Sequence, residues 1–339
     1  MKHASLVLLL AAVACRDAAP ARDTAVAVPA ATRARIFATI GDTGSTIEGV
    51  ATHGGALYVA DWKDGGVYRV DIRSAAVQRV ATLGTAPHTS ILGVATDSAG
   101  NFYAALPDSG LVLRIAAARL GAADFNAAKD VSRFATGVKG ANAVTFDAQG
   151  HLWISGGNSD VLYHVGPKGG AGTVFAGKYS PISTDTTMPV RVYTVNGVAF
   201  DSKGSVYTLN TGTGEISKLE VLPGYKAGKI TTFVRSAELI GADGVVSDAN
   251  DNLWVVCNFL SRLAQVSSTG EITVIYTDHA ARTATRSDSS AANVLRFPAE
   301  LKIVGGTAYL SNLNFPIGAN TGQTQKGATI AAVELPAAR

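Results

Sequence analysis

Short apolar runs alternate with Gly, Asn and Asp turns along most of the chain, and one such pattern recurs several times. Its clearest copy occupies residues 242–256, where an acidic residue and a glycine open an apolar run, a tight turn follows, and a second apolar run ends the unit. The second residue of each copy falls at 49, 93, 143, 197, 244 and 301, so the spacings are 44, 50, 54, 47 and 57 residues. Self-similarity at a roughly constant period indicates a repeat architecture.

Each copy continues into two further runs rich in β-branched residues. In the first copy these are residues 66–71 and 77–81, and in the fourth they are residues 215–219 and 229–234. Apolar alternation bounded by Gly, Asp and Asn favours strands over helices. Four strands in each of six repeats predict an all-β fold, a six-bladed β-propeller spanning residues 35–339.

One strand lies outside this order. Residues 35–39 precede the first copy but resemble the outer strand of other copies, whereas the sixth copy has only three evident strands and ends at residues 329–335. We therefore expect the N-terminal strand to complete the last blade, because closing the ring in this way removes exposed strand edges.

Three insertions interrupt the repeat. Residues 117–130 are rich in alanine and predict a short helix within the second blade. Residues 177–195 and 277–297 connect an outer strand to the next inner strand, on the face where the inner strands begin. These two loops are either walls or lids of a site on that face, or surface loops without a role in binding.

The N-terminus is expected to be a targeting segment. An apolar run within residues 1–14 is too short to span a bilayer and is typical of a signal peptide. Small residues lead to Cys15, as in a bacterial lipoprotein cleavage box, and residues 15–34 have the composition of a disordered, lipidated tether. The sequence thus predicts a lipid-anchored, periplasm-facing protein of the bacterial cell envelope, with ordinary secretion as the alternative.

Composition narrows the class of partner. The formal charge is +3, charged residues make up 16% of the chain and hydrophobic residues 47%, so a large core is possible and no basic patch suggests nucleic acid. Apart from Cys15 the only cysteine is Cys257, which ends an apolar strand and is expected to be a small buried hydrophobe. We expect a monomer that acts on a small molecule and meets a membrane only through its anchor.

The candidate chemistry lies at the residues that open the innermost strands. These residues are Glu48, Leu92, Asn142, Asn196, Asp243 and Glu300. Inner strands line the axial channel of a propeller, so the six positions form a ring at its mouth, and five of them carry side-chain oxygen. Buried carboxylates are costly unless they are compensated, and a divalent cation such as Ca²⁺ prefers these oxygen ligands. The alternative is that these side chains only cap strand ends.

The ring residues also carry a family resemblance. Glu48-Gly49, Asn196-Gly197 and Asp243-Gly244, with Asn142, resemble the inner-strand signatures of the gluconolactonase, senescence marker protein and luciferin-regenerating enzyme superfamily. Residues 242–256 are also similar to diisopropylfluorophosphatase, and the resemblance covers about residues 35–336.

The resemblance implies a six-bladed propeller that binds one divalent cation in its channel and hydrolyses lactones or organophosphate esters. By the same resemblance, Glu48, Asn142, Asn196 and Asp243 would be metal ligands. Asp243 would also be the general base or nucleophile, and Asn142 would contact substrate or water. Calcium is the favoured ion, and zinc, magnesium and manganese are possible.

Two departures from the family pattern bear on the substrate. The lactonases carry an arginine two residues before the blade-three asparagine, and this chain has Gly140 there, which makes a sugar lactone a less secure prediction than the chemistry. Glu300 does not belong to the family pattern: it is either a carboxylate behind the metal ligands or an exposed residue, if the short Gly305-Gly306 turn shifts the register of blade six. The histidines follow no metal-ligand spacing; His88 and His279 lie in loops that could overlook the channel, and each is more simply a solvated loop residue.

The sequence therefore predicts a metal-dependent hydrolase of a lactone or related ester. One alternative is a non-catalytic binding or scaffold propeller whose cation is structural. Another is an organophosphate (phosphotriester) hydrolase, which would use the same site.

Overall fold

The computed structural model describes residues 33–84, 90–179, 182–186, 192–278, 293–314 and 327–336. The predicted signal peptide and Cys15, His88, His279, and most of the 277–297 loop lie outside these residues, as do parts of the 177–195 loop. None of the helices in the described ranges has the length and hydropathy that a membrane span requires.

The described strands form six sheets that follow the chain, and each sheet is one blade of the predicted propeller. A first strand, β1 (Ala34–Ile40), precedes the blades. Blade one consists of β2 (Ala51–His53), β3 (Ala56–Ala60), β4 (Gly66–Asp71) and β5 (Val77–Thr82). Blade two consists of β6 (Val94–Thr96), β7 (Phe102–Leu106), β8 (Leu111–Ile115) and β9 (Val131–Thr136).

The third and fourth blades follow the same order. Blade three consists of β10 (Val144–Phe146), β11 (Leu152–Ser155), β12 (Val161–Val165) and β14 (Thr173–Gly177), while the intervening β13 (Gly170–Ala171) pairs in parallel with β9 of blade two. Blade four consists of β15 (Val198–Phe200), β16 (Val206–Asn210), β17 (Glu215–Leu222) and β18 (Lys226–Arg235).

The last two blades complete the ring. Blade five consists of β19 (Ala242–Ser247), β20 (Leu253–Cys257), β21 (Arg262–Val266) and β22 (Ile272–Thr277). Blade six consists of β23 (Pro298–Val304), β24 (Thr307–Asn312) and β25 (Ala328–Glu334), to which β1 adds the outermost strand. Among the described residues, helical structure is limited to α1 (Ala127–Asp130) and the 3₁₀ turns Ala117–Arg119 and Ala237–Leu239, so the alanine-rich insertion is helical only in part.

The predicted closure of the ring is confirmed. β1 runs antiparallel to β25, with Ala34 opposite Val333 and Ile40 opposite Ala328. Ile40, Ala328 and Ile330 are fully buried in one apolar cluster, so the seam is packed as well as hydrogen-bonded. Pairing of the two ends leaves no open edge between the first and last blades.

The inner strands of neighbouring blades approach one another so closely that glycine follows the ring residue in blades one, two, four and five. A Cβ atom on Gly93 would lie 2.4 Å from the carbonyl oxygen of Asn142 in the next blade, and one on Gly197 would lie 2.3 Å from that of Asp243. Both glycines instead donate their N–H to those carbonyls, at 2.9 and 2.8 Å. The glycine that follows the ring residue in the repeat is thus a consequence of blade packing.

The sixth repeat is shifted by one residue from the sequence prediction. Leu301 pairs with Leu310 as Val245 pairs with Val255 in blade five, so the ring position of blade six is Ala299. Glu300 occupies the place that Gly244 has in blade five. The turn is the reason, because four residues with Gly305-Gly306 at their centre connect Ile303 to Ala308, whereas five connect the equivalent Ser247 and Leu253 in blade five.

Candidate functional site

The predicted ring residues lie at the starts of the inner strands and are buried. Glu48, Asn142, Asn196 and Asp243 expose 6%, 4%, 3% and 5% of their surface. A bulge between Ala242 and Val245 interrupts the pairing of β19 with β20 at Asp243. The residues that precede the regular ladder are therefore free to present their side chains at the end of the channel instead of packing between blades.

Asp243 is the best connected of these side chains. Its Oδ2 accepts a hydrogen bond from the Asn258 side-chain amide at 3.0 Å, and the Asn196 side chain hydrogen-bonds to the same carboxylate. Asn196 also donates to the Thr211 hydroxyl at 2.9 Å, and Thr211 donates to the Ala242 carbonyl at 2.7 Å. Blades four and five thus hold the carboxylate through a continuous polar network.

Three buried oxygens of the site have no hydrogen-bond partner among the described residues. They are Glu48 Oε2, Asn142 Oδ1 and Asn258 Oδ1. A buried acceptor left without a donor is destabilising by about 1–3 kcal/mol, so natural proteins rarely keep one without a reason. Carboxylate and amide oxygens are hard ligands, and a bound divalent cation would satisfy them.

The electrostatics of the site also favour a cation. Burial raises the pKa of Glu48 well above its usual value, and the negative charges of Asp243 and Glu300 raise it further, against a smaller lowering by Lys302. Burial raises the pKa of Asp243 to about 8, with a further contribution from Glu300, although hydrogen bonds from Asn258 and Asn196 oppose the shift. A positive ion would stabilise both charged forms.

Glu300 is buried near the ring but differs from the ring residues. Its Oε1 accepts a hydrogen bond from the Leu301 N–H at 2.9 Å, and Lys302 Nζ lies 3.4 Å from the same oxygen. This carboxylate is therefore paired within its own strand. The expectation that Glu300 completes the ring is wrong in position, because Ala299 occupies that place, but its charge does act on Glu48 and Asp243.

Sequence reasoning missed three residues that contact or face the site. Asn258 and Thr211 follow the second strands of blades five and four, outside both the inner-strand positions and the two loops expected to border the site. Tyr193 precedes Asn196; burial raises its pKa, and the charges of Asp243, Glu48 and Asp108 raise it further. The signal that could have found Asn258 was its place directly after the second apolar run of the clearest repeat.

Other residues with possible chemistry lie away from the ring. His151 Nδ1 and His164 Nε2 are 2.8 Å apart, and the Tyr225 ring stacks on both imidazoles, between blades three and four. Cys257 is buried, and burial raises the pKa of its thiol to about 12, as expected for an unreactive core residue. Within the described ranges, no three His, Cys, Asp or Glu side chains form a metal cluster, so amide oxygens are essential to the proposed ligand set.

Sequence comparison places most of the chain in a known family. Residues 48–285 match the SMP-30/Gluconolactonase/LRE-like region, which is more than half of the chain. No curated protein sequence matches this chain.

Several solved structures share the fold. A gluconolactonase from Xanthomonas campestris is 14% identical, with 90% of each chain covered and a TM-score of 0.59. Regucalcin from Agrobacterium tumefaciens, described as a calcium-binding protein, is 15% identical, with 88% of this chain and 96% of that one covered and a TM-score of 0.59. Virginiamycin B lyase from Staphylococcus aureus is 13% identical, with 90% and 100% covered and a TM-score of 0.58.

At 13–15% identity these likenesses concern the fold alone. The sequence match to the family covers five of the six blades, including the ring residues of the first five. The chain therefore belongs to the SMP-30/gluconolactonase/LRE-like family of β-propellers.

Proposed function

We propose that the ring site is the active centre of a metal-dependent hydrolase that opens a lactone or cleaves a related ester. The observation that carries the proposal is the pair of buried, unpartnered oxygens, Glu48 Oε2 and Asn142 Oδ1, in the ring that contains Asp243. Membership of the gluconolactonase-like family supports the reaction class. A purely structural propeller has no need of buried acceptors without donors at one end of its channel.

The residues present fit a divalent cation. Glu48, Asn196 and Asp243 would hold it, and Asn142 would be a further ligand or a contact to substrate or water. When bound, the cation would supply Lewis-acid polarisation of the scissile carbonyl or phosphoryl oxygen. Calcium is favoured by the all-oxygen ligand set, and magnesium, manganese or zinc are alternatives.

Asp243 would accept the proton of the attacking water. Its carboxylate is oriented by Asn258 and Asn196, so the base does not depend on a flexible side chain. Without a bound ion, burial raises its pKa to about 8. The positive charge of a cation would lower that pKa again, so the carboxylate would be ionised at neutral pH and able to accept the proton. Asn142 would orient the substrate or the water, because its Oδ1 is free of protein donors among the described residues.

Two other functions would use the same residues. Phosphotriester hydrolysis needs the same polarisation of an oxygen and the same base, and a scaffold propeller would keep the cation without turnover. The fold is shared by proteins with different activities, so the decision lies with the reaction itself.

The test is hydrolysis by dialysed protein of a panel of lactones and one phosphotriester, with Ca²⁺ and with chelator. We expect lactone hydrolysis that requires the ion, and a loss of about 1000-fold in kcat/KM for Asp243→Asn. Bound metal should fall in Asp243→Asn and remain unchanged in Leu92→Ala, which alters an apolar ring position. Full activity of Asp243→Asn, with and without chelator, would show that the active centre lies elsewhere.

A further inference from the structure

The ring at the channel mouth has a polar part and an apolar part. Blades one, three, four and five place carboxylates or amides in it, whereas blade two contributes Leu92 and blade six contributes Ala299. Leu92 is half-buried, and so part of its surface is accessible. The two apolar ring positions flank blade one on either side.

A second layer of side chains repeats this division. It consists of the residues that lie just after the second strand of a blade. The backbone N–H of each donates to a carbonyl oxygen in the segment just before the ring residue of the same blade. They are Trp62 (to Thr46), Thr211 (to Tyr193), Asn258 (to Gly241) and Leu313 (to Phe297), at 2.9, 3.0, 2.8 and 3.1 Å. The polar members belong to blades four and five, and the apolar members belong to blades six and one. Blades four and five are thus polar in both layers and blade six is apolar in both, whereas blade one carries Glu48 in the ring and Trp62 in the second layer.

The apolar side is a continuous cluster. Phe297, Ala299 and Leu313 are buried together, and the half-buried Trp62 and Phe259 pack against them. The Trp62 indole N–H donates to the carbonyl of Ile91, the neighbour of Leu92, so the cluster reaches blade two. We call this cluster, with Leu92, the apolar wall.

One residue of the apolar wall is held in an unfavourable conformation. Phe297 has φ = +56°, which is uncommon and unfavourable for a bulky residue. The residue is 1% exposed. Such strain clusters at binding sites, where the surrounding structure holds a side chain in a set place.

The polar side offers little to a carboxylate or polyol beyond the cation ligands. Gly140 precedes the ring residue Asn142, and Gly156 and Gly157 follow the second strand of the same blade, so none of these positions carries a side chain. A Cβ atom on Gly157 would lie 3.3 Å from Tyr193 Cδ1, so an aromatic side chain borders the polar side as well. Lys302, whose charge acts on Glu48, is already paired with Glu300.

We propose that the substrate is a neutral lactone or ester with a hydrocarbon chain or aryl ring, and that this apolar group lies on the apolar wall. This proposal rests on the function proposed above and names its substrate class. The carbonyl would face Asn142 and Asp243. Water oxygen bonds to the acyl carbon, the bond from that carbon to the ring oxygen breaks, and the water proton passes through Asp243 to the leaving oxygen, which gives a hydroxy acid.

The test is a series of γ-lactones that differ only in chain length, from butyrolactone through hexalactone to nonalactone, beside glucono-δ-lactone. Each CH₂ group removed from water is worth about fourfold in kcat/KM. We expect nonalactone to exceed butyrolactone at least about tenfold, and to exceed the polyhydroxylated lactone. A flat series, or a preference for glucono-δ-lactone, would overturn the proposal while leaving ion-dependent hydrolysis intact.

Two variants connect the preference to the apolar wall. Leu92→Asn replaces an apolar ring position by a polar side chain of similar size, and we expect the advantage of nonalactone over butyrolactone to fall about tenfold. Leu222→Asn is the matched control, because Leu222 is 38% exposed on the β17–β18 hairpin, and it should keep the advantage. An unchanged chain-length dependence in Leu92→Asn would contradict the assignment.

Binding of the non-hydrolysable γ-nonanolactam, measured by calorimetry with Ca²⁺, separates this proposal from the proposed function. If the lactam binds and Leu92→Asn weakens it, but no lactone is hydrolysed, the apolar wall stands and the hydrolase function fails. If neither the lactam binds nor chain length matters, the substrate class is wrong whatever the turnover.

Discussion

The two ends of the inner strands carry acidic side chains in opposite circumstances. Where the strands begin, Glu48 and Asp243 are buried, and their pKa values are raised. Where the strands end, four aspartates close the turn to the next strand. These are Asp97, Asp147, Asp201 and Asp248.

The aspartates at the far end are fully hydrogen-bonded in a repeated way. In blade five, Asp248 Oδ1 accepts the N–H groups of Asn250 and Asn252 at 2.9 and 3.0 Å, and Oδ2 accepts the Trp254 indole N–H at 3.0 Å. Burial alone would raise the pKa of Asp248, but these hydrogen bonds, with one from the Asn252 side chain, hold it below its usual value.

The same scheme recurs in blades two, three and four. In each, Oδ1 accepts the N–H groups two and four residues later, and Oδ2 accepts from an aromatic side chain six residues later. In blades two to five the repeat therefore keeps a hydrogen-bonded, stabilising carboxylate where the inner strands end. At the other end it leaves two buried carboxylates with raised pKa values, and Glu48 Oε2 has no donor among the described residues.

The largest expected effect comes from exchanging one carboxylate for an amide at each end of the inner strands. Asp243→Asn should lower kcat/KM for lactones about 1000-fold, because it removes the proposed base. Asp248→Asn, the matched control, should change kcat/KM at 25 °C by no more than about twofold. Steady-state kinetics on both variants measure these effects. Equal losses of kcat/KM would mean that the carboxylates at the two ends do not differ in role.

A smaller effect is expected at Asn258, which holds the Asp243 carboxylate. Asn258→Ala should weaken Ca²⁺ binding or turnover by about 10–100-fold, because groups that orient metal ligands act through them. Asn258→Asp keeps an acceptor but loses the donor, so it should not restore activity. Isothermal titration with Ca²⁺ checks this, and wild-type affinity in Asn258→Ala would remove the residue from the site.

The free energy of unfolding should also respond differently to the two substitutions. In chelator, Asp248→Asn should lower the free energy of unfolding by about 1–3 kcal/mol, since it disrupts hydrogen bonds to a charged acceptor. Asp243→Asn should leave it unchanged or raise it, because a buried carboxylate with unsatisfied charge is removed. Urea denaturation of both variants measures the difference, and a large loss in chelated Asp243→Asn would contradict the account.

The smallest expected effect is the pH dependence of the difference in unfolding free energy between wild type and Asp243→Asn. The pKa of Asp243 is about 8 in the folded protein but about 3.9 when unfolded, so the folded state binds the extra proton. Without metal, the contribution of Asp243 to stability should therefore fall as pH rises from about 4 to about 8. Asp248, whose pKa is lowered, should contribute fully above about pH 4 and lose its contribution below it.

The measurement is urea denaturation of wild type and Asp243→Asn at pH 5 and pH 8, with chelator and with Ca²⁺. The advantage of the variant should grow from pH 5 to pH 8 in chelator and disappear with Ca²⁺. A difference independent of pH would mean that Asp243 is ionised throughout.

Blade number and strand order could be predicted from the sequence, because a pattern repeated six times fixes both. The ring residues of blades one to five followed from the same alignment. The sixth copy failed because a slip of one residue exchanges Glu300 for Ala299, and alternation in a short strand does not resolve it. Blades one and six share a Gly-Gly turn, Gly54-Gly55 and Gly305-Gly306, and this turn does give the register. The residue six positions before Gly54 is Glu48, and the residue six positions before Gly305 is Ala299.

Asn258 and the apolar wall were not predictable in the same way. Trp62, Asn258 and Leu313 come from different repeats, follow the second strands and share no residue type. Their equivalence is defined by backbone hydrogen bonds, which only the folded chain shows.

The pairing of β1 with β25 has a consequence for how the molecule folds. Every other blade is made of strands that are neighbours in sequence, and local contacts of this kind form fast. Blade six must instead wait until the far end of the chain has been synthesised, because its outer strand is the first one made. Until then β1 is an unpaired strand that other chains can pair with. We therefore expect closure of this seam to limit the folding rate, and unclosed chains to be the species from which aggregation begins.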